Sequence, residues 1–329
     1  MKKNIGIIMG GYSTECEISL KSGQVVYENL SKEKYNTYRI LILPEKWVVL
    51  DDDKNEYPVN KHDFSTEING KKIVFDCIFN AIHGNPGENG VILAYFELLG
   101  IKHTSASWYT MALTFNKRDT LSVLRQYGIP MAKSVYLNEG NPIDLDDIID
   151  KVGLPCFVKP NNGGSSLGMS KVFTKDKLIP AIKKAHTEDS EILIESFLDG
   201  TEVSIGVIQY KDEIKVLPPT EIVVDKNVFF DYEAKYHGKP QNLTPARISS
   251  KQLYNLNKMA LKVYKTLKMS GFSRAEYIFI DDIPHFLEIN TVPGLSAQSL
   301  LPKQAGKAGI SLSELFENAV ESALIEESK

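Results

Sequence analysis

The sequence is poor in the features that mark several large classes of protein. Its three cysteines, Cys16, Cys77 and Cys156, are too few and too scattered for a disulfide framework or a Cys-x-x-Cys metal site, which favours a reducing cytoplasm. No apolar run approaches the ~20 residues of a membrane-spanning helix, and the apolar run in MKKNIGIIMGG is too short for an export signal. The net charge of -4 lacks the basic excess of nucleic-acid-binding proteins. We therefore expect a cytoplasmic protein whose partners are small molecules, not nucleic acids or membranes.

The amino-terminal part of the sequence alternates strand, turn and helix. The 329 residues are 43% hydrophobic and 24% charged, which is typical of a globular protein with two or three domains. Residues 5–9 predict a buried strand, GG a turn, and SLKSGQVVYENL a helix. Further strands are predicted at 38–43 and 73–82, a hairpin at VVLDDDKNEY, and a helix at 91–100. This pattern predicts a doubly wound α/β domain with its site at the strand ends.

The pattern changes after the helix predicted over KRDTLSVLRQYGIP. Short strands then follow one another with few helices until Leu253: LPCFVKP, SKVFT, EILIESFL, EVSIGVIQY and EIKVLPPTEIVV. The tail ISLSELFENAVESALIEE has an apolar face at helical spacing and predicts a closing helix on the core. This second part is therefore α+β in character.

The stretch KPNNGGSSLGMSKV has the composition of a phosphate-binding loop of an uncommon kind. Gly163 and Gly168 have the separation of a Walker A motif, but Met169 stands where that motif needs lysine. The stretch contains no Gly-x-Gly-x-x-Gly either. Its lysine, Lys159, precedes the glycines, so any phosphate contact would come from the end of the preceding strand.

The segment RAEYIFIDDIPHFLEINTVPG predicts two strands joined by DDIP. Residues two apart share one face of a strand, as do Arg274 and Glu276 and, on the second strand, Phe286, Glu288 and Asn290. The two strands would therefore point Arg274, Glu276, Glu288 and Asn290 into one space. Two carboxylates and an amide oxygen, without His or Cys, suit Mg²⁺ and not zinc. A solvated face of an antiparallel sheet is the alternative interpretation. The turn at 291–294 and the helix predicted from SAQSLL would add backbone N–H groups for an anionic substrate.

Six motifs, in order along nearly the whole chain, resemble those of the D-alanine:D-alanine ligases, cell-wall enzymes of the ATP-grasp superfamily. They are GGYSTECEIS, AIHGNPGENG, VKPNNGGSSLGMSKV, EILIESFLDGTEVS, FFDYEAKYHG and FLEINTVPGLSAQSLLP. The resemblance implies a doubly wound α/β domain over residues 1–115, followed by two α+β domains, 116–203 with the glycine-rich loop and 204–329 with the lid loop and metal site, that form an ATP-grasp fold. It also implies formation of D-alanyl-D-alanine through a D-alanyl phosphate, for peptidoglycan synthesis, by an enzyme that is often a homodimer.

The resemblance assigns an ATP site to groups from both α+β domains. Lys117, Lys159 and Lys235 would contact phosphates, and the glycine-rich loop with Ser165 and Ser166 would cover them. The adenosine is implied to meet the following residues: the backbone of Glu195, Ser196, Phe197 and Leu198 at the adenine edge, and Glu202 at the ribose. Two Mg²⁺ ions, with Mn²⁺ as a substitute, would be held by Glu276, Glu288 and Asn290.

The resemblance also assigns the amino-acid site. Glu15 would hold the ammonium of the first D-alanine, while Ser299 and the Leu300 backbone would bind the carboxylate of the second. The remaining assignments are these: His83 near the reacting groups, Arg274 and the Gly294 N–H as oxyanion donors, Tyr236 and Lys235 on the lid, and hydrogen bonds joining Glu15, Ser165 and Tyr236 when the lid is shut.

Several alternatives stay open from the residues alone. Glu15 could be only a carboxylate at a helix start, His83 only a turn residue, and Tyr236 a core aromatic. The protein could be another ATP-grasp ligase, joining L-amino acids or making a depsipeptide, or a nucleotide-binding regulator without turnover. By the resemblance, Tyr236 favours the dipeptide over the D-lactate ester, and Glu276 stands where the family more often has Asp.

Overall fold

The computed structural model describes residues 2–164, 166–223 and 241–325, which form three β-sheets with helices packed on them. The first sheet contains β1 (Lys3–Gly10), β2 (Tyr35–Ile42), β3 (Trp47–Leu50), β4 (Glu56–Asn60), β5 (Ser65–Ile68), β6 (Lys71–Ile73), β7 (Cys77–Asn80) and β8 (Lys102–His103). Helices α1 (Cys16–Asn29), α2 (Val91–Leu98) and α3 (Trp108–Phe115) accompany it. The order of the strands is β6-β5-β4-β3-β2-β1-β7-β8.

Only half of this first sheet is parallel. Strands β2, β1, β7 and β8 pair in parallel, as the doubly wound prediction requires. Strands β3 to β6 pair antiparallel, because the chain after β2 returns through short hairpins instead of crossover helices. The hairpin predicted at VVLDDDKNEY is confirmed by the pairing of β3 with β4.

The strand predicted over residues 73–82 is wrong, because this segment contains parts of two strands. β6 ends at Ile73 at the edge of the sheet, and β7 begins at Cys77 beside β1. Between them, the Asp76 carboxylate accepts hydrogen bonds from Asn4 N at 2.8 Å and Lys3 Nζ at 2.7 Å. These contacts fix the point at which the chain enters the parallel half.

The second sheet is small and antiparallel, in the order β11-β10-β12-β9. Its strands are β9 (Ser134–Asn138), β10 (Cys156–Pro160), β11 (Ser170–Val172) and β12 (Glu191–Ser196). Helix α4 (Lys117–Gln126) precedes it, and α5 (Leu145–Val152), a 3₁₀ turn (Lys175–Lys177) and α6 (Leu178–His186) lie between its strands. The prediction of few helices in this part missed α5, whose Ile148 and Val152 pack on the sheet at helical spacing.

The third sheet has the order β16-β15-β13-β17-β18, with β14 paired to β13. Its strands are β13 (Thr201–Tyr210), β14 (Glu213–Val216), β15 (Thr220–Val223), β16 (Gln241–Leu243), β17 (Phe272–Ile280) and β18 (Ile283–Asn290). Helices α7 (Ser250–Thr266), α8 (Leu300–Lys307) and α9 (Leu312–Ile325) complete the described chain. The predicted domain boundary between residues 203 and 204 lies within β13.

The first and third sheets share hydrophobic cores. Ile8 and Phe96 of the first unit belong to the same buried cluster as Tyr277 and Phe286 of the third. Helix α9 packs on the first sheet through Phe316, whose ring centroid lies 5.7 Å from that of Phe79, as predicted for a closing helix. This packing fixes the end of β18 against the first unit, where the candidate site is found.

Candidate active site

The hairpin of β17 and β18 supplies the central polar cluster. Arg274 pairs with Asn290 and Glu276 with Glu288 across the ladder, so the predicted common face is confirmed for these four. The spacing that placed Phe286 on the same face as Glu288 is overturned, because a β-bulge at Leu287 separates the two, and Phe286 pairs with Tyr277 and is buried in the core. The bulge reverses the face on which Phe286 lies.

The polar face of this hairpin has the donor set of a magnesium site. The Arg274 guanidinium donates hydrogen bonds to Glu276 and, at 3.0 Å, to Ser204 Oγ. Asn290 Oδ1 is buried and accepts no hydrogen bond from the described residues. Within the described ranges, no three His, Cys, Asp or Glu side chains form a group that could hold a metal ion. An orphaned amide oxygen beside two carboxylates fits a hard divalent cation.

Lys117 points from the start of α4 into this cluster. Asn116 caps the helix by accepting a hydrogen bond from Asp119 N at 2.9 Å. The Lys117 ammonium donates to Gly163 O at 2.6 Å and lies 4.0 Å from Glu288 Oε2. Burial lowers the pKa of Lys117. The ammonium thus joins the glycine-rich loop to the carboxylates of the third sheet.

Lys159 forms a buried ion pair that the sequence did not reveal. Its Nζ lies 2.5 Å from Glu195 Oε2 on the neighbouring strand β12, and the two side chains are 12% and 6% exposed. Burial alone would lower the pKa of Lys159, but the Glu195 and Glu288 carboxylates outweigh it and raise the pKa. Lys159 therefore keeps a fixed positive charge at the strand end.

A cavity of about 760 Å³ lies between the second and third sheets. The predicted residues that line it are Lys117, Lys159, Ser166, Glu195, Ser196, Phe197, Leu198, Glu202, Glu276 and Glu288. Phe157 and Phe197 add an apolar wall with ring centroids 6.1 Å apart, and Lys171 lies 3.6 Å above the Phe197 ring. The expected common cleft between Lys159 and the carboxylates is therefore present, whereas Lys171 was missed.

The strand end proposed for the adenine edge is partly engaged already. Ser196 N donates to Lys133 O at 2.9 Å, and Phe197 N donates to Pro155 O at 3.2 Å. The Ser196 hydroxyl accepts a hydrogen bond from Lys133 N at 3.0 Å. These two N–H groups are therefore hydrogen-bonded within the protein, and the backbone contact expected at the adenine edge stays a prediction.

A second cavity of about 330 Å³ adjoins the first, since Lys117, Glu276 and Glu288 line both. Glu15, His83, Arg274 and Asn290 line this smaller cavity, together with Glu88. Glu15 sits at the N-cap position of α1 but its side chain makes no cap hydrogen bond there. A Cβ atom on Gly164 would lie 3.3 Å from Glu15 Oε1, so this carboxylate faces the glycine-rich loop. Glu15 therefore stands at the start of α1, as the alternative interpretation expects, and its carboxylate also faces the loop and the smaller cavity.

His83 is built into the wall of the smaller cavity. The side chain is 5% exposed, and its Nε2 lies 2.9 Å from Ser22 Oγ. Burial lowers the pKa of His83, with a smaller opposing effect of Glu15. His83 therefore lines the same cavity as Glu15 and Arg274, with at least one ring nitrogen bonded inside the protein.

The remaining predicted residues lie apart from these walls or outside the described chain. Ser299 is the N-cap of α8, with its Oγ 2.9 Å from Ser296 Oγ, and a Cβ on Gly294 would lie 2.7 Å from Ser299 Oγ. Gly294, Ser299 and Leu300 are not among the residues that line the two cavities. Ser165, Lys235 and Tyr236, and with them the predicted lid, lie outside the described residues.

The described helices include none that is long and apolar enough to cross a membrane.

Comparison with known proteins gives two family matches: the model "D-ala D-ala ligase N-terminus" matches residues 4–106, and "D-ala D-ala ligase C-terminus" matches residues 123–321. The D-alanine–D-alanine ligase of Flavobacterium johnsoniae is 60% identical over 322 residues, which cover 98% of this chain and 99% of that protein.

Two solved structures share the fold along almost the whole chain. One is the VanG D-Ala:D-Ser ligase of Enterococcus faecalis, with 30% identity, TM-score 0.85, and coverage of 98% of this chain and 99% of that one. The other is the D-alanine–D-alanine ligase of Bacillus anthracis complexed with ATP, with 28% identity, TM-score 0.78, and coverage of 98% and 97%. By its family matches and its near relatives, the chain belongs to the D-alanine–D-alanine ligase family.

Proposed function

We propose that this chain is an enzyme that joins two D-alanine molecules at the expense of ATP, releasing ADP and phosphate and supplying D-alanyl-D-alanine for peptidoglycan. The observation that carries the proposal is the pair of adjoining cavities, about 760 and 330 Å³, whose shared wall holds Lys117, Glu276 and Glu288. A nucleotide fits the larger cavity and small amino acids fit the smaller, so the charged wall between them stands where a phosphoryl group would pass.

In this proposal the first step is phosphorylation of the first D-alanine. Lys117 and Lys159 bind the nucleotide phosphates, and Glu15 pairs with the D-alanine ammonium so that its carboxylate faces the γ-phosphate. The carboxylate oxygen attacks phosphorus, the bond to the ADP oxygen breaks, and D-alanyl phosphate forms. Activation is required because joining a carboxylate to an amine is uphill in water.

The second step joins the two amino acids. The amine of the second D-alanine attacks the acyl phosphate, and phosphate leaves from a tetrahedral intermediate after the amine loses a proton. We assign Arg274 and the Gly294 N–H to the oxyanion, and Ser299 with the Leu300 N–H to the carboxylate of the second D-alanine. Arg274 already lies in the smaller cavity, held by Ser204 and Glu276, which supports its assignment.

We assign the metal site to Glu276, Glu288 and Asn290. When bound there, Mg²⁺, or Mn²⁺ in its place, would neutralise charge on the phosphates. The orphaned Asn290 Oδ1 and the absence of His or Cys from this set support a hard cation. The longer side chain of Glu276, where the family more often has Asp, is committed in part to Arg274.

Other parts of the proposal concern the whole molecule. We assign the chain an ATP-grasp fold with units 1–115, 116–203 and 204–329, and a lid that carries Lys235 and Tyr236 and closes by hydrogen bonds joining Glu15, Ser165 and Tyr236. We also propose a cytoplasmic homodimer. Exposed apolar side chains on α2 and α3 support a contact surface on the first unit, since Leu98 is 87% and Tyr109 60% exposed.

The test is ADP formation with purified protein, ATP, Mg²⁺ and single amino acids. D-alanine alone should stimulate ADP release with one D-alanyl-D-alanine per ADP, whereas L-alanine should not. Mixtures of D-alanine with D-serine or D-lactate separate the dipeptide from the activities of other ligases, including the D-Ala:D-Ser type named for one structural relative. Failure of D-alanine to stimulate ADP formation would contradict the proposal. Wild-type activity in Glu15→Gln would also contradict it.

A further inference from the structure

Glu88, a carboxylate that the reaction scheme above does not use, lines the smaller cavity beside Glu15 and Arg274. Its contacts reach two segments that are distant in sequence. Glu88 Oε2 accepts a hydrogen bond from Gly84 N at 3.1 Å, next to His83. Glu88 Oε1 accepts from Thr291 N at 3.3 Å and Val292 N at 3.4 Å, directly after Asn290. One side chain therefore joins both walls of the cavity.

The segment 291–295 depends on the first unit for its hydrogen bonds. Thr291 and Val292 follow the last residue of β18, and the two amides find their acceptor in Glu88 instead of in a strand. Leu295 N donates to Ser22 Oγ of α1 at 3.4 Å, and the same oxygen lies 2.9 Å from His83 Nε2. Buried N–H groups are costly when unpaired, so these acceptors determine where the segment sits.

Two groups essential to the proposed chemistry lie just before this segment and within it. Asn290, the proposed metal ligand, immediately precedes Thr291, and Gly294, the proposed oxyanion donor, immediately precedes Leu295. On the opposite wall, Ser13 Oγ donates to His83 O at 3.0 Å and accepts from Glu15 N at 3.3 Å. Glu88 thus bonds on one side to the turn at 83–84, which is hydrogen-bonded to the loop of Glu15. On the other side it bonds to the turn at 291–292, next to the proposed metal and oxyanion groups.

We propose that Glu88 is a positioning residue for the ligation, which sets the distance between the ammonium-binding wall at Glu15 and the metal and oxyanion wall at 290–294. The inference rests on the proposed function, because it concerns the reaction geometry of the same site. A displacement of about 1 Å between reacting groups can reduce a rate roughly 100-fold, so the effect should appear in kcat. ATP binding, which uses the other cavity, should change little.

Two substitutions remove different numbers of these bonds. In Glu88→Ala all three N–H groups lose their acceptor. In Glu88→Gln the amide oxygen can still accept from Thr291 and Val292, but the amide NH₂ then meets the Gly84 N–H, donor against donor. The matched control is Glu97→Gln, since Glu97 also accepts a backbone hydrogen bond, from Trp108 N at 2.8 Å, but does not line either cavity.

The experiment measures kcat and the KM for ATP and for D-alanine, together with amide hydrogen exchange of peptides covering residues 84 and 291–295. We expect kcat to fall on the order of 100-fold in Glu88→Ala and less in Glu88→Gln, with the KM for ATP within about threefold of wild type. Exchange at 291–292 should accelerate in the alanine variant only, and Glu97→Gln should behave as wild type.

Three results would overturn the inference. Unchanged exchange at 291–292 in Glu88→Ala would show that Glu88 does not hold this segment, whatever the activity. Accelerated exchange with unchanged kcat would leave only a structural role. An equal loss of ATP binding and kcat in both variants would indicate general disruption. An inactive wild type would instead contradict the proposed function, while the exchange measurement would still decide whether Glu88 holds the segment.

Discussion

Removal of the Lys159 ammonium should both destabilise the protein and abolish nucleotide binding. The Glu195 carboxylate is only 6% exposed, and its Oε2 lies 2.5 Å from the Lys159 ammonium. In Lys159→Met this carboxylate would lose its cationic partner. Breaking a buried ion pair from one side costs about 3–5 kcal/mol, because an uncompensated charge stays in a region of low dielectric. The free energy of unfolding, measured by urea denaturation at pH 7, should fall by about that amount.

A double variant separates the two roles of Lys159. Replacing both partners, in Lys159→Met with Glu195→Leu, removes the buried charge, and such replacements are often neutral or stabilising by about 1–4 kcal/mol. The unfolding free energy should therefore return to near the wild-type value. ATP binding, measured by calorimetry, should stay lost in both variants, because neither carries the ammonium at the phosphate end of the larger cavity.

The outcomes are distinct. If the free energy of unfolding of Lys159→Met lies within about 0.5 kcal/mol of the wild-type value, the pair is not the buried contact described above. If the double variant binds ATP as tightly as wild type, Lys159 does not contact the nucleotide. If the double variant is as unstable as the single one, the loss comes from the lysine stem and not from the unpaired Glu195 charge.

Three further predictions concern residues that line the two cavities. Arg274→Ala should lower kcat by roughly 10²- to 10³-fold, the usual effect of losing an oxyanion donor, with ATP affinity within a few-fold by calorimetry; an unchanged kcat would rule out that role. Asn290→Ala should raise the Mg²⁺ concentration for half-maximal activity about tenfold, whereas Asn255→Ala, which loses only a hydrogen bond to Asp282 O, should not. The Arg247 guanidinium holds the pKa of Glu221 below its usual range. The free energy of unfolding of Arg247→Met should therefore lie below that of wild type above about pH 4.5, and the two should converge as acid protonates Glu221. A difference in unfolding free energy that persists at low pH would refute the coupling.

The hairpin of the site could be predicted from the sequence because its polar residues recur at every second position. Arg274, Glu276, Glu288 and Asn290 could be placed on one face from strand periodicity alone. The bulge at Leu287 could not be predicted, since it depends on how Tyr277 and Phe286 pack together in the core. In the antiparallel half of the first sheet, the hairpin of β3 and β4 was predicted, but β5 and β6 were missed, because short hairpin strands carry a weaker pattern than buried parallel ones.

Contacts between distant backbone groups were beyond the sequence. Glu88 lies in a glycine-rich turn, where an acidic residue is common and does not indicate a special role. Its partners at Thr291 and Val292 are more than 200 positions away in the sequence. The Lys159–Glu195 pair was hidden because Glu195 was considered only for its backbone. Such pairs follow from the register of strands within a sheet, which a single sequence does not specify.

The most direct test is a crystal structure of the protein grown with ADP, Mg²⁺ and a phosphinate mimic of the tetrahedral intermediate. The account predicts the adenosine in the larger cavity beside Phe157 and Phe197, phosphates at Lys117 and Lys159, and Mg²⁺ on Glu276, Glu288 and Asn290 with the mimic in the smaller cavity. A nucleotide bound elsewhere, or Mg²⁺ that contacts none of these three oxygen donors, would contradict it.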